Sequence, residues 1–154
     1  MKFIATVNTL LLSMSTAVYA LPTASSLPEG WQPISRDEIL RRMETSTTAS
    51  SPLEKRTPGG IYICTGANYS GTCGYAVQPF NTCIELTSPW YHNIGSFGPD
   101  QGALCRLTIS AETCTAQGDA FVQYPGTPDL RNYNGVDIGD SITSFLCQEC
   151  TACT

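Results

Sequence analysis

The chain has 154 residues, a length that argues for one domain, and carries 8 Lys plus Arg against 13 Asp plus Glu, a net charge of −5. That balance excludes a nucleic-acid binder, which needs a clustered positive surface. Thirteen Gly and ten Pro without a Gly-X-Y period exclude collagen and point to a turn-rich domain, while eight Cys predict disulfides if the compartment is oxidising.

The N-terminus decides the compartment. Lys2, the largely apolar run Ile4 to Leu12 and the small residues of Val18-Tyr19-Ala20 read as a secretory signal, residues 1–20, cut after Ala20. Asn8, Thr9, Ser13, Ser15 and Thr16 interrupt the roughly 20 apolar residues that a membrane span requires. The expected location is therefore extracellular, with no membrane span.

Residues 21–56 are rich in Ser, Thr and Pro, lack cysteine, and hold too little apolar surface to fold alone. Within them Ser35-Arg36-Asp37-Glu38 has capping-box spacing ahead of Ile39, Leu40 and Met43, which predicts one short helix, marginal in water by itself. The segment closes on Lys55-Arg56, which resembles the dibasic cleavage site of kexin-type proteases of the fungal secretory pathway; Arg41-Arg42 is a second, less well placed pair. Cleavage after Arg56 leaves residues 57–154, or 154 − 56 = 98 residues. Only Arg106 and Arg131 remain against eight acids, so the charge becomes 2 − 8 = −6, and all eight cysteines stay. A domain of that size depends on cross-links.

That domain reads as short strands divided by turn residues. Strands are expected at Ile61 to Cys64, Thr72 to Val77, Cys83 to Leu86, Ile94 to Phe97, Leu104 to Ile109, Ala120 to Tyr124 and Ser141 to Cys147. Asn93-Ile94-Gly95-Ser96-Phe97 matches Ser141-Ile142-Thr143-Ser144-Phe145 at an offset of 141 − 93 = 48, which implies an internal duplication. Two copies of about four strands each predict an all-β, two-motif Greek-key β-sandwich.

Asn68-Tyr69-Ser70-Gly71 in the first hairpin, Ser96 with Phe97, and Gly139-Asp140-Ser141-Ile142-Thr143-Ser144 closing the second copy resemble the βγ-crystallin Greek-key pair. In that family an aromatic residue stands two positions before a hairpin glycine, and a late serine folds back on the hairpin. Tyr69 and Gly71 match; Cys114 and Ala116 take the corresponding places in the second copy, a departure. With its leader, dibasic pair and cysteines the chain is similar to small secreted fungal members of a superfamily that also includes yeast killer toxins and a bacterial metalloproteinase inhibitor.

The resemblance implies a calcium motif, Asn/Asp-Asn/Asp-x-x-Ser/Thr-Ser, supplying hard oxygen donors. The first copy, Tyr91-His92-Asn93-Ile94-Gly95-Ser96, lacks most of them. The second keeps Asp140 and Thr143 but has Gly139 at the first position; Asp140, Ser141 and Thr143 form a weak calcium candidate with Asp137 nearby, and no other cofactor is implied. Cys147-x-x-Cys150-x-x-Cys153 looks like a metal cluster but has no fourth ligand beside it. All of Cys64, Cys73, Cys83, Cys105, Cys114, Cys147, Cys150 and Cys153 are expected in disulfides, in a pairing that the sequence leaves open. Catalysis is not expected: His92 is the one histidine, no nucleophile motif accompanies it, and no spacing singles out a carboxylate pair.

Trp90-Tyr91-His92, with Tyr133 in the matching loop of the second copy, is the candidate partner contact, since loop aromatics offer large contact area at low entropic cost. Trp90 has an equal claim to the core. Asn68-Tyr69-Ser70 is an N-glycosylation sequon. The function expected is that of a secreted, monomeric, non-enzymatic binding module for an extracellular protein or carbohydrate, as a host-interaction effector or antimicrobial toxin. The alternatives are a structural or developmental extracellular protein with weak calcium binding, and a protease inhibitor presenting the loop Gly126-Thr127-Pro128-Asp129.

Overall fold

The computed structural model describes residues 26–44 and 59–153; Ala20, Lys55 and Arg56 lie outside the described residues. In chain order the elements are β1 (Gln32–Pro33), α1 (Arg36–Glu44), β2 (Gly60–Gly66), β3 (Ser70–Val77), β4 (Cys83–Glu85), β5 (Ser96–Pro99), β6 (Ala103–Thr108), β7 (Ala120–Gln123), a 3-10 turn at Leu130–Asn132, and β8 (Ser144–Glu149). They form two four-stranded antiparallel sheets, ordered β1-β3-β2-β5 and β4-β8-β6-β7. Each expected strand is present, with ends moved by up to three residues. The last begins at Ser144 because Ser141 to Thr143 turn first, the Ser141 N–H donating to the Ile138 carbonyl at 3.0 Å.

The duplication is legible in the register. β2 against β5 sets Ile63 opposite Phe97 and Cys64 opposite Ser96; β6 against β8 sets Leu107 opposite Phe145 and Thr108 opposite Ser144. Each copy sends its third strand to the other copy's sheet. β4 pairs with β8, and in return Thr127 exchanges two backbone hydrogen bonds with Phe97, at 2.8 and 3.1 Å. The copies therefore cannot separate without breaking both sheets. Ile61, Ile63, Phe97, Leu107, Val122 and Phe145 fill the space between them, as period-2 alternation requires.

The second hairpin departs from the sequence alignment. Its left-handed glycine is Gly118 at φ +66°, answering Gly71 at φ +78°, and not the Ala116 aligned there. A longer loop accommodates the difference. Cys114, placed by alignment at the hairpin aromatic's position, is bonded to Cys83.

Four disulfides take all eight cysteines: Cys64–Cys73 across β2 and β3, Cys105–Cys147 across β6 and β8, Cys83–Cys114 from β4 to the second hairpin, and Cys150–Cys153 in the tail. Cys83–Cys114 fixes the exchanged strand to the copy that receives it. Strand register decides two of the four pairings, setting Cys64 opposite Cys73 and Cys105 opposite Cys147.

Residues 26–44, read from sequence as unable to fold alone, are folded onto the domain. The predicted cap forms, Ser35 Oγ accepting the Glu38 N–H at 3.2 Å, and α1 runs from an acidic first turn to a basic last turn. What holds so short a helix is burial: Ile39 is fully enclosed among Tyr62, Cys64, Tyr69 and Cys73. β1 extends the first sheet at the edge of β3.

Candidate functional site

The loops closing the two copies meet at an open groove of about 230 Å³ lined by His92, Ser110, Glu112, Asp140, Ser141 and Thr143 among others. Four of the side chains singled out from the sequence, His92, Asp140, Ser141 and Thr143, are thus brought to one place. Glu112 and Ser110 were missed, because they come from the second hairpin and only strand register carries it to the loop at residue 92.

Tyr91 and His92 stand at the rim, both exposed, their rings stacked at 4.1 Å between centroids and 14° between planes. His92 has φ +53°, and its N–H donates to the Ile142 carbonyl at 3.0 Å, so its position is set by the second copy. The Tyr91 hydroxyl donates to Glu112 Oε2 at 2.7 Å, and this bond to a carboxylate raises the phenol's pKa above its ordinary value. Opposite, Arg131 donates to Asn93 Oδ1 at 3.0 Å and to Asp140 Oδ1. Asp119, beneath the hairpin, accepts the Ile109 and Ser110 N–H groups at 2.7 and 2.9 Å, and those donors hold its carboxyl below the usual range.

Trp90 is corrected from the candidate contact set to the core. It is 1% exposed, its Nε1 donates to the Thr72 carbonyl at 3.2 Å, and it packs over Gly74. Tyr133 is half-buried, its hydroxyl donating to the Phe121 carbonyl at 3.2 Å, away from the groove rim. Asn68 is exposed at φ +54° on the first hairpin, while its sequon neighbour Tyr69 is buried.

Of the calcium candidates, the Asp140 carboxylate is engaged by Arg131, and Thr143 Oγ1 is buried and donates toward the Thr108 and Ala111 carbonyls. Ser141 is exposed. No group of three or more His, Cys, Asp or Glu side chains suited to a metal occurs among the described residues. The groove offers hydroxyls, carboxylates and a stacked aromatic face, a set that binds polar ligands by hydrogen bonding and ring contact.

No family model and no curated protein matches the chain. Two solved structures do. One, described under the evolution of the eye lens βγ-crystallin domain fold, has a TM-score of 0.45 and 11% identity over 65% of this chain and 95% of its own. The other, a βγ-crystallin domain from Flavobacterium johnsoniae, has a TM-score of 0.41 and 18% identity over 61% of this chain and 98% of its own. Both neighbours are βγ-crystallin domains. A likeness of this size concerns the path of the chain and says nothing of ligand, partner or activity.

Proposed function

We propose that the chain is a secreted, disulfide-stabilised binding module without enzymatic activity, acting on an extracellular protein or carbohydrate as a host-interaction effector or antimicrobial toxin. The observation that supports this reading best is the Tyr91–His92 stack, exposed at the rim of a polar groove and fixed by hydrogen bonds to the other copy. An aromatic pair held rigid in solvent loses little entropy on contact, which favours recognition. Four disulfides suit an oxidising extracellular medium. The test is a binding screen of the purified protein against cell-wall polysaccharides and surface proteins, repeated with Tyr91→Ala and His92→Ala. Binding lost at least tenfold in both variants supports the groove; a partner bound equally by wild type and both variants removes it.

The alternative of a structural protein with weak calcium binding rests on Asp140, Ser141 and Thr143 sharing the groove. It requires calcium to displace Arg131 from Asp140.

A further inference from the structure

The duplication supplies a comparison within one molecule. Register places Tyr62 and Tyr75 of the first sheet where the second sheet has Arg106 and Phe121. Phe121 is 51% exposed and β7 alternates buried with exposed residues, as a sheet with one face in solvent does. The matching face of the first sheet carries Tyr62, Cys64, Tyr69, Cys73 and Tyr75, and α1 lies over it. The helix itself does not fill the sandwich core, where Ile61 and Ile63 of β2 face the other sheet, although Leu27 and Trp31, ahead of it, pack against that core and are partly buried.

Besides the burial of Ile39 and bonds such as Arg36 Nε to the Asn68 carbonyl at 2.9 Å, three further contacts bind residues 26–44 to that face and along the β3 edge. β1 adds a strand, Gln32 opposite Tyr75 and Pro33 opposite Gly74, followed by the Ile34 N–H donating to the Cys73 carbonyl at 3.3 Å. Trp31 packs on Trp90 with centroids 4.7 Å apart, beside Gly74, where a Cβ would stand 2.4 Å from the Trp90 ring. Arg42 places its guanidinium 4.4 Å from the Tyr75 ring centroid and 3.6 Å from Asp100 Oδ2, the oxygen that also accepts from the Tyr75 hydroxyl at 2.8 Å. Strand addition, an aromatic anchor and a guanidinium between carboxylate and ring are general devices for holding a peptide.

The first cysteine is Cys64, so no disulfide joins this segment to the domain. Its covalent tie runs through residues 45–58, which contain Lys55-Arg56. The other dibasic pair, Arg41-Arg42, is inside α1, with both side chains on Glu38 at 2.8 and 3.0 Å, a conformation unlike the extended chain that a protease cleft accepts.

We propose that the outer face and β3 edge of the first sheet form a peptide-docking site whose built-in occupant is residues 26–44, and that cleavage within residues 45–58 opens it to a partner polypeptide of like chemistry. That partner carries an extended stretch with a bulky aromatic residue, followed by an arginine. The site is separate from the Tyr91 groove, and the inference rests on reading residues 21–56 as a cleaved leader.

The test places a protease recognition sequence within residues 45–58 of the full chain, folds it, and nicks it. A labelled peptide of residues 26–44 is expected to exchange into the nicked protein and not to bind the uncut chain. Arg42→Ala or Trp31→Ala in the peptide weakens binding at least tenfold, and Arg42→Lys weakens it less. Equal binding to cut and uncut chains, no exchange at all, or indifference to both alanine substitutions overturns the proposal. In the uncut chain, Arg42→Glu with Trp31→Ala is expected to raise hydrogen exchange in β3 while β6 and β8 stay protected. Equal loss of protection in both sheets would make the segment part of the fold and end the proposal. Intact mass of the secreted protein reports separately on cleavage: an uncut product removes the leader reading and leaves the nicked-protein result standing.

Discussion

Phe97 and Phe145, 48 positions apart in the chain, meet edge to face in the core with ring centroids 5.2 Å apart and planes at 69°. They are the same residue of the two copies, each fully buried, each opposite the core residue of its own first strand, Ile63 or Leu107. Each ring therefore serves both sheets. Truncating either to Ala is expected to cost about 3–5 kcal/mol through lost burial and a residual cavity. The double variant should cost less than the sum, because removing one ring already deprives the other of its partner. Denaturant midpoints of the three variants measure this, and strict additivity would contradict the shared contact.

Ser96 and Ser144 are equivalent by register and both fully buried, yet their hydroxyls differ. Ser96 Oγ accepts the Tyr69 N–H at 3.1 Å and donates to the Gly66 carbonyl at 2.8 Å, tying β5 to the first hairpin. Ser144 Oγ has a 3.4 Å contact with Thr143 Oγ1. Ser96→Ala strands a buried donor and acceptor, for about 2–3 kcal/mol, whereas Ser144→Ala is expected to cost about 1 kcal/mol or less. Equal losses in thermal melts would show that the two copies use this serine alike.

The disulfides should rank by the chain they close. Cys105–Cys147 and Cys83–Cys114 span 42 and 31 residues, and Cys150–Cys153 spans 3. Paired Ser substitution of either long bridge is expected to lower stability by about 3–4 kcal/mol, and of the tail bridge by about 2 kcal/mol or less, on the chain-entropy account. A tail variant as destabilised as the others would place the effect in folded-state packing instead.

Alkaline pH should unfold the protein through the tyrosines under α1. Burial raises the pKa of Tyr62 and Tyr69 well above the ordinary value near 10, and raises Tyr75 to about 12, helped by its bond to Asp100. Their protonated forms are favoured in the fold, so the stabilisation is complete below about pH 10, the unfolded value, and is lost as pH rises toward the folded ones. Above pH 10 stability should fall by about 1.4 kcal/mol per pH unit for each of Tyr62 and Tyr69, and by less for the half-buried Tyr75, whose contribution ends near pH 12. Absorbance at the phenolate band, recorded with circular dichroism, checks this: Tyr62 and Tyr69 should ionise together with unfolding. Phenolate forming in full while the sheet signal persists would sink it.

If calcium binds at Asp140, Arg131 competes for the same carboxylate. The wild-type melting temperature should then respond weakly to millimolar calcium, and Arg131→Gln should enlarge the response while Asp140→Ala abolishes it. No response in any of the three proteins rejects the site.

The sequence by itself determined the strands, because alternation such as Ile61, Ile63 against Tyr62, Cys64 is local, and it determined the duplication, because Ile94 to Phe97 and Ile142 to Phe145 repeat the same pattern. The capped helix at Ser35 was legible for the same reason. Tertiary structure decided everything that depends on which strands become neighbours. The reciprocal exchange of β4 and Thr127, the Cys83–Cys114 and Cys105–Cys147 bridges, the meeting of Glu112 with Tyr91, and the burial of Trp90 all follow from which distant segments become neighbours. So does the largest difference from expectation: the low-hydrophobicity segment 26–44 folds because the domain, and not the segment itself, supplies the apolar surface that encloses Ile39.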